Sequence, residues 1–273
     1  MSTVSITKKY MEEMFSQYLR KLFVLPEVIS CGVKGITITR ENIDKYSKQA
    51  FEAGYHDIYS DVDLHIEVCL PQDCSITPED YLYRTERFGI TEDTALGWMF
   101  VPTDNVCRVV FKNGMRYDLI FDFEYSEADK DIIQNSSEKV ENENWPVENI
   151  NRFWFIQVQA LGKLYRRDYL ISAHLANMNC NDTLVMQMIM RDLEHGTSHH
   201  RYGYSEELEY SKYLGKNQFT GDDPTFDQIA DEIYAAAIAY DSLVKNFYPG
   251  YHNRSDVFFD IWKSYNIGSE DES

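Results

Sequence analysis

The chain has 273 residues, 45 acidic and 26 basic side chains, a net charge of −19 and a hydrophobic fraction of 44%, with 14% aromatic. That composition excludes a disordered chain and gives ample material for one large or two medium folded domains. The acidity argues against nucleic acid as a partner, because a phosphate backbone demands clustered Lys and Arg; it suits a cationic small molecule, and more often such acidity serves only solubility.

No apolar run reaches membrane-spanning length, and residues 1–10 lack the apolar centre of a secretory leader. The expectation is a cytoplasmic protein with no membrane partner. Cys31, Cys69, Cys74, Cys107 and Cys180 are odd in number, scattered and without a Cys-x-x-Cys pair, so reduced thiols are expected rather than a disulfide framework or zinc site.

From Thr7 to Phe23, apolar residues at Met11, Met14, Phe15, Tyr18, Leu19 and Leu22 carry helical spacing, ended by Pro26. Short strands follow at Val28–Cys31 and Ile36–Thr39 around a glycine turn. Polar Glu41–Ala53 reads as a helical or irregular insertion before Gly54. Thr77-Pro78-Glu79-Asp80 starts a helix with proline in its first turn, and Leu96–Val101 reads as a strand.

Between these lies Tyr59-Ser60-Asp61-Val62-Asp63-Leu64-His65-Ile66-Glu67-Val68. Alternate strand residues share a face, which lines up Asp61, Asp63, His65 and Glu67 opposite Val62, Leu64, Ile66 and Val68. Adjacent carboxylates repel unless a cation lies between them, and Mg2+ with oxygen ligands meets that need. Loop caps and solvated strand edges produce the same spacing without any metal. Further on, Cys107–Phe111 and Arg116–Phe123 read as two strands joined by Asn113-Gly114. Arg116, Asp118, Ile120 and Asp122 share one face of the return strand, so Asp118, or Asp122 in its place, supplies a third carboxylate. Three carboxylates on neighbouring strands suit metal-assisted phosphoryl or nucleotidyl transfer.

Ser126–Glu148 is rich in Asp, Glu, Asn and Ser and reads as a linker ended by Trp145-Pro146. Helical periodicity then takes over: one helix from Phe153 to Leu164, a second over Leu170–Met178, a Met-rich segment Thr183–Leu193, another opened by Asp222-Asp223-Pro224 and running to Val244, and a last over Asp256–Tyr265. The fold class expected is α+β, a mixed-sheet domain over 1–145 followed by an all-helical domain over 146–273.

Ser60-Asp61-Val62-Asp63-Leu64 followed by Arg116-Tyr117-Asp118-Leu119 resembles the small-molecule nucleotidyltransferases of the polymerase-beta-like superfamily. Asn151-Arg152-Phe153-Trp154-Phe155, Leu161-Gly162-Lys163-Leu164-Tyr165-Arg166-Arg167-Asp168-Tyr169-Leu170 and Phe247-Tyr248-Pro249-Gly250-Tyr251 resemble the helical domain of streptomycin 6-adenylyltransferases. The resemblance implies a Mg2+-dependent adenylyltransferase of the antibiotic-resistance type. Such an enzyme moves a nucleoside monophosphate from ATP to a hydroxyl of a small acceptor, an aminoglycoside first. Asp61, Asp63 and Asp118 would be its catalytic and metal-binding residues. A lincosamide acceptor, or a non-catalytic binding or regulatory protein on the same scaffold, are the alternatives, and the oligomeric state is left open.

The resembled family sets a Gly-Ser pair shortly before its Asp-x-Asp to hold nucleotide phosphates. Here the candidate is Cys31-Gly32-Val33-Lys34-Gly35, which lacks the serine and lies farther ahead of Asp61. Gly32, Lys34, Ser60 and Arg166 are the expected phosphate contacts. The family also binds its acceptor between its two domains, which makes Glu194, His199, Tyr202 and Glu206 the expected acceptor residues, on a glycine-flanked loop. The structural alternatives are solvated first-turn acids behind Ser205 and a plain helix-end loop.

Overall fold

The structure, a computed structural model, describes residues 6–72, 76–126, 149–196 and 225–271. Two compact units divide the chain, 1–142 together with 263–273, and 143–262. The last eleven residues therefore group with the first unit, not with the helical part as the sequence division had it. The boundary itself, and the acidic segment over 127–148, lie outside the described residues.

The first unit is a six-stranded mixed sheet with helices. Its elements are α1 (Lys8–Leu22), β1 (Val28–Val33), β2 (Ile36–Ile38), α2 (Ile43–Gly54), β3 (Val62–Pro71), α3 (Pro78–Leu82), β4 (Ala95–Val101), β5 (Val106–Phe111) and β6 (Arg116–Ser126). The strand order is β2-β1-β3-β6-β5-β4, with β3 and β6 parallel and every other neighbouring pair antiparallel.

Local chemistry sets the element ends. The Thr7 hydroxyl accepts from the Tyr10 amide at the start of α1, and Thr77 and Asp80 form a reciprocal capping box at α3. The β1–β2 turn is Lys34-Gly35, both at positive φ (47° and 81°), as a tight hairpin turn requires. The Arg40 guanidinium donates to the carbonyls of Phe23, Leu25, Pro26 and Val28, satisfying a loop that has no ladder of its own.

Burial follows the two-residue alternation. Val62, Leu64, Ile66, Val68 and Leu70 are fully or almost fully buried. On the same face Tyr117 stacks with Tyr18 of α1, Phe15 of α1 meets Phe51 of α2, and Phe121 meets Tyr81 of α3 and Phe88. Gly54 lies so close to β1 that an added Cβ would sit 2.7 Å from Val33. Near the chain end, the Tyr59 hydroxyl donates to the Tyr265 carbonyl at 3.4 Å.

The second unit is helical as far as it is described: α4 (Ile150–Tyr165), α5 (Tyr169–His195), α6 (Phe226–Val244) and the start of α7 (Ser255–Asp271), whose end from Lys263 groups with the first unit. The two segments expected over 170–178 and 183–193 are one 27-residue helix. Polar residues within it are engaged: Asn179 donates to the Phe153 carbonyl at 3.2 Å, and the Thr183 hydroxyl back-bonds to the Cys180 carbonyl at 2.7 Å. Helix α6 begins behind Thr225, which forms a capping box with Gln228; Asp222-Asp223-Pro224 lies outside the described residues. The core holds Phe153 stacked on Tyr240 and a buried Asp241 that accepts from the Tyr251 hydroxyl and the Ser255 amide. Trp154 in turn donates to the Tyr251 hydroxyl.

Cys31, Cys107 and Cys180 are buried and unpaired, Cys69 is half-buried and unpaired, and Cys74 lies outside the described residues. Among the described residues no helix is long and apolar enough to cross a membrane.

Glu232 of α6 is 4% exposed, and its Oε2 has no hydrogen-bond partner among the described residues. Burial raises its carboxyl from 4.5 to about 7. Between those values the folded chain holds more protons than the unfolded one, so stability falls as pH rises through the window. Glu232→Gln is expected to exceed the wild type by roughly 1–3 kcal/mol at about pH 8, with the gap closing towards pH 4.5. Urea unfolding of both proteins across pH checks this; a gap that does not change with pH contradicts it.

Candidate functional site

The site candidate is the polar face of the sheet centre, at the end where β3 and β6 both begin. Parallel pairing sets Asp63 directly beside Asp118, with neighbouring strands about 4.8 Å apart. One row earlier on the same face stand Asp61 and Arg116, and their side chains meet at 3.5 Å. On the other flank of β6, antiparallel pairing sets Arg108 beside Asp118, with Nε 3.2 Å from Oδ2. Farther along the strands come His65, opposite Gly32 on one side and Ile120 on the other, and then Glu67, between Ser30 and Asp122.

A local turn positions Asp61. The Asp57 carboxylate accepts from the Tyr59 amide at 2.8 Å and from the Ser60 hydroxyl at 2.9 Å, so the chain enters β3 from a fixed direction. Arg116, whose side chain is 5% exposed, also donates to the Tyr59 carbonyl at 3.1 Å. One buried guanidinium thus ties the start of β6 to the turn that carries Asp61.

Charge is unevenly balanced across this patch. The Asp118 carboxyl rises to about 6, first because it is buried and second because Asp61 is near; Arg108 and Arg116 pull it down, and Asp63 pushes it up. At neutral pH most molecules still hold Asp118 ionised. Asp63 itself is exposed. Two carboxylates side by side and a third one row away, flanked by two guanidinium groups, can hold a cation at one point and phosphate oxygens at another. Among the described residues no three His, Cys, Asp or Glu side chains converge to form a metal site. Asp61 is turned to Arg116, and Asp118 to Arg108.

The other expected site residues fall elsewhere. Asp122 lies beside Glu67, with the His65 Nδ1 at 3.7 Å, well along the strands from Asp63. Gly32 is a strand residue beside His65, and Lys34 is an exposed residue of the hairpin turn. Ser60 is buried, with its hydroxyl donated to Asp57 at 2.9 Å. Arg166 ends α4 in the other unit. Glu194 belongs to the last turn of α5, while His199, Tyr202 and Glu206 lie outside the described residues.

Arg108 escaped the sequence reading as a partner of Asp118 because of one turn. A two-residue Asn113-Gly114 turn would pair Lys112 with Met115. Instead Phe111 and Met115 pair, which leaves a three-residue loop, Lys112-Asn113-Gly114, with Gly114 at φ 85°. The register moves by one residue, and that step brings Arg108 opposite Asp118. No protein-family model matches the chain, and no curated protein matches it.

Because Arg116 is buried and serves both Asp61 and a backbone carbonyl, Arg116→Met is expected to cost about 3 kcal/mol. Asp61→Asn, at a half-exposed position, is expected to cost about 1 kcal/mol. Denaturant unfolding of both variants and the double variant measures this; a loss for Arg116→Met no larger than that for Asp61→Asn contradicts it.

Proposed function

We propose that this chain is a nucleotidyltransferase of the polymerase-beta-like type, which moves a nucleoside monophosphate from ATP to a hydroxyl of a small, antibiotic-like acceptor, with aminoglycosides favoured. The observation that carries the reading is the placement of Asp63 beside Asp118 across β3 and β6, with Asp61 one row away on the same face.

Hard carboxylate oxygens at neighbouring positions are the donors that Mg2+ takes, usually one or two from protein with the remainder from phosphate and water. Asp61, Asp63 and Asp118 would hold the ion, which when bound offsets the charge of the reacting phosphates. Asp118, ionised in most molecules at neutral pH, can accept the proton of an acceptor hydroxyl brought within hydrogen-bond reach. Arg108 keeps that carboxylate oriented and places a guanidinium on the face where phosphate oxygens would lie. Glu194, His199, Tyr202 and Glu206 are proposed for the acceptor, where carboxylates and aromatic rings suit ammonium groups.

A second reading has its own support. The Gly32–Gly35 segment is a hairpin rather than a phosphate loop, and both Asp61 and Asp118 already face an arginine. A nucleotide-binding or regulatory protein on this scaffold would show those features.

Incubation with labelled ATP, Mg2+ and a panel of aminoglycosides and lincosamides separates the two. Labelled acceptor is expected with the wild type, and Asp63→Asn or Asp118→Asn should each lower the rate by roughly three orders of magnitude. Transfer that survives both substitutions overturns the assignment of these residues. Mg-ATP binding without transfer to any acceptor selects the second reading.

A further inference from the structure

The opposite side of the same sheet carries a cavity of about 430 Å³ that the carboxylate face does not use. Its floor is apolar and aromatic: Tyr18 of α1, Phe111 and Tyr117 of the β5–β6 hairpin, and Met115, all buried. Tyr18 meets the Phe111 ring edge-on at 5.2 Å and stacks with Tyr117 at 4.8 Å, so the floor is a set of interlocked rings. Its rim is polar and exposed, with Lys21 from α1 and Lys112 and Asn113 from the hairpin loop.

Three features make the rim a built one. Gly89 has a positive φ of 71°, and the flexible amine end of Lys21 lies across it. The Lys112 amide donates to the Thr94 carbonyl at 2.9 Å, and the Thr94 hydroxyl donates to the Gly89 carbonyl at 2.7 Å, which ties the hairpin loop to the far wall. No Asp or Glu lines the cavity, and among the described residues neither Lys21 nor Lys112 pairs with a carboxylate. In a chain with 45 acidic residues against 26 basic ones, two ammonium groups without carboxylate partners over an aromatic floor are a local inversion of charge.

We propose that this cavity binds a small organic anion with a flat apolar body, its rings on the aromatic floor and its acidic group between Lys21 and Lys112. The volume lies within the range of small-molecule pockets. Ring-on-ring contact rewards a flat ligand, and ammonium groups hold a carboxylate, sulfonate or phosphate without demanding the fixed fork geometry of arginine. The site stands independently of the proposed transfer reaction, since it shares no side chain with the carboxylate face.

The test uses the full chain and anilinonaphthalenesulfonate, an aryl anion with a flat naphthalene ring whose fluorescence reports an apolar site. Titration should show saturable binding that weakens with salt. The double variant Lys21→Gln/Lys112→Gln, both positions exposed, should keep the wild-type melting temperature and bind about tenfold more weakly. Phenylnaphthylamine, the uncharged counterpart, should bind the wild type and the double variant alike. Asp63→Asn should bind the anion as the wild type does. The proposal is overturned if the double variant keeps the wild-type affinity to within about twofold, or if Asp63→Asn weakens binding as much as the loss of both lysines.

Discussion

Ten successive residue pairs hold β3 and β6 in parallel register, from Val62 beside Tyr117 to Pro71 beside Ser126, and the first unit depends on that ladder. A strand has a period of two, so a slip of one residue would turn every side chain of either strand to the other face. Asp63 or Asp118 would then point among Phe15, Tyr18 and Phe51, while a valine or tyrosine took its place in water. Burying an unpaired carboxylate there would cost several kcal/mol, so the hydrophobic core and the charged patch select the same register.

The alternation around Asp61 and Asp63 was legible because every second residue of Val62–Leu70 is large and apolar. So were the helix at Thr7, from its apolar spacing, and the hairpin at Asn113-Gly114. Hydrophobic period and turn chemistry are local properties, and a sequence displays them directly. Contacts that join distant segments were not legible. Arg108 meets Asp118 only because the loop has three residues, and Arg116 reaches the Tyr59 carbonyl from 57 positions away. The merged α5 was missed for a related reason. The stretch between Met178 and Thr183 has no apolar period to carry the helix across, and Asn179 instead spends its amide on a carbonyl of α4.

The two faces of the sheet also divide the labour of charge. On one, guanidinium and carboxylate groups partly cancel, and burial, more than the neighbouring Asp61, raises the carboxyl of Asp118. On the other, aromatic rings fill the interior, and two lysines are left over at its margin. Tyr117 and Asp118 are consecutive residues of one strand that serve opposite sides.

The margin of the sheet at β2 has a consequence for how the protein behaves at high concentration. That strand runs only from Ile36 to Ile38, and the chain leaves it immediately for Arg40, whose guanidinium is anchored on four carbonyls of the preceding loop. An unpaired ladder of three residues is a poor template for another extended chain, and the anchored arginine keeps the template from lengthening by local melting. At this border the fold resists strand-by-strand growth into fibres because the border is short and fastened.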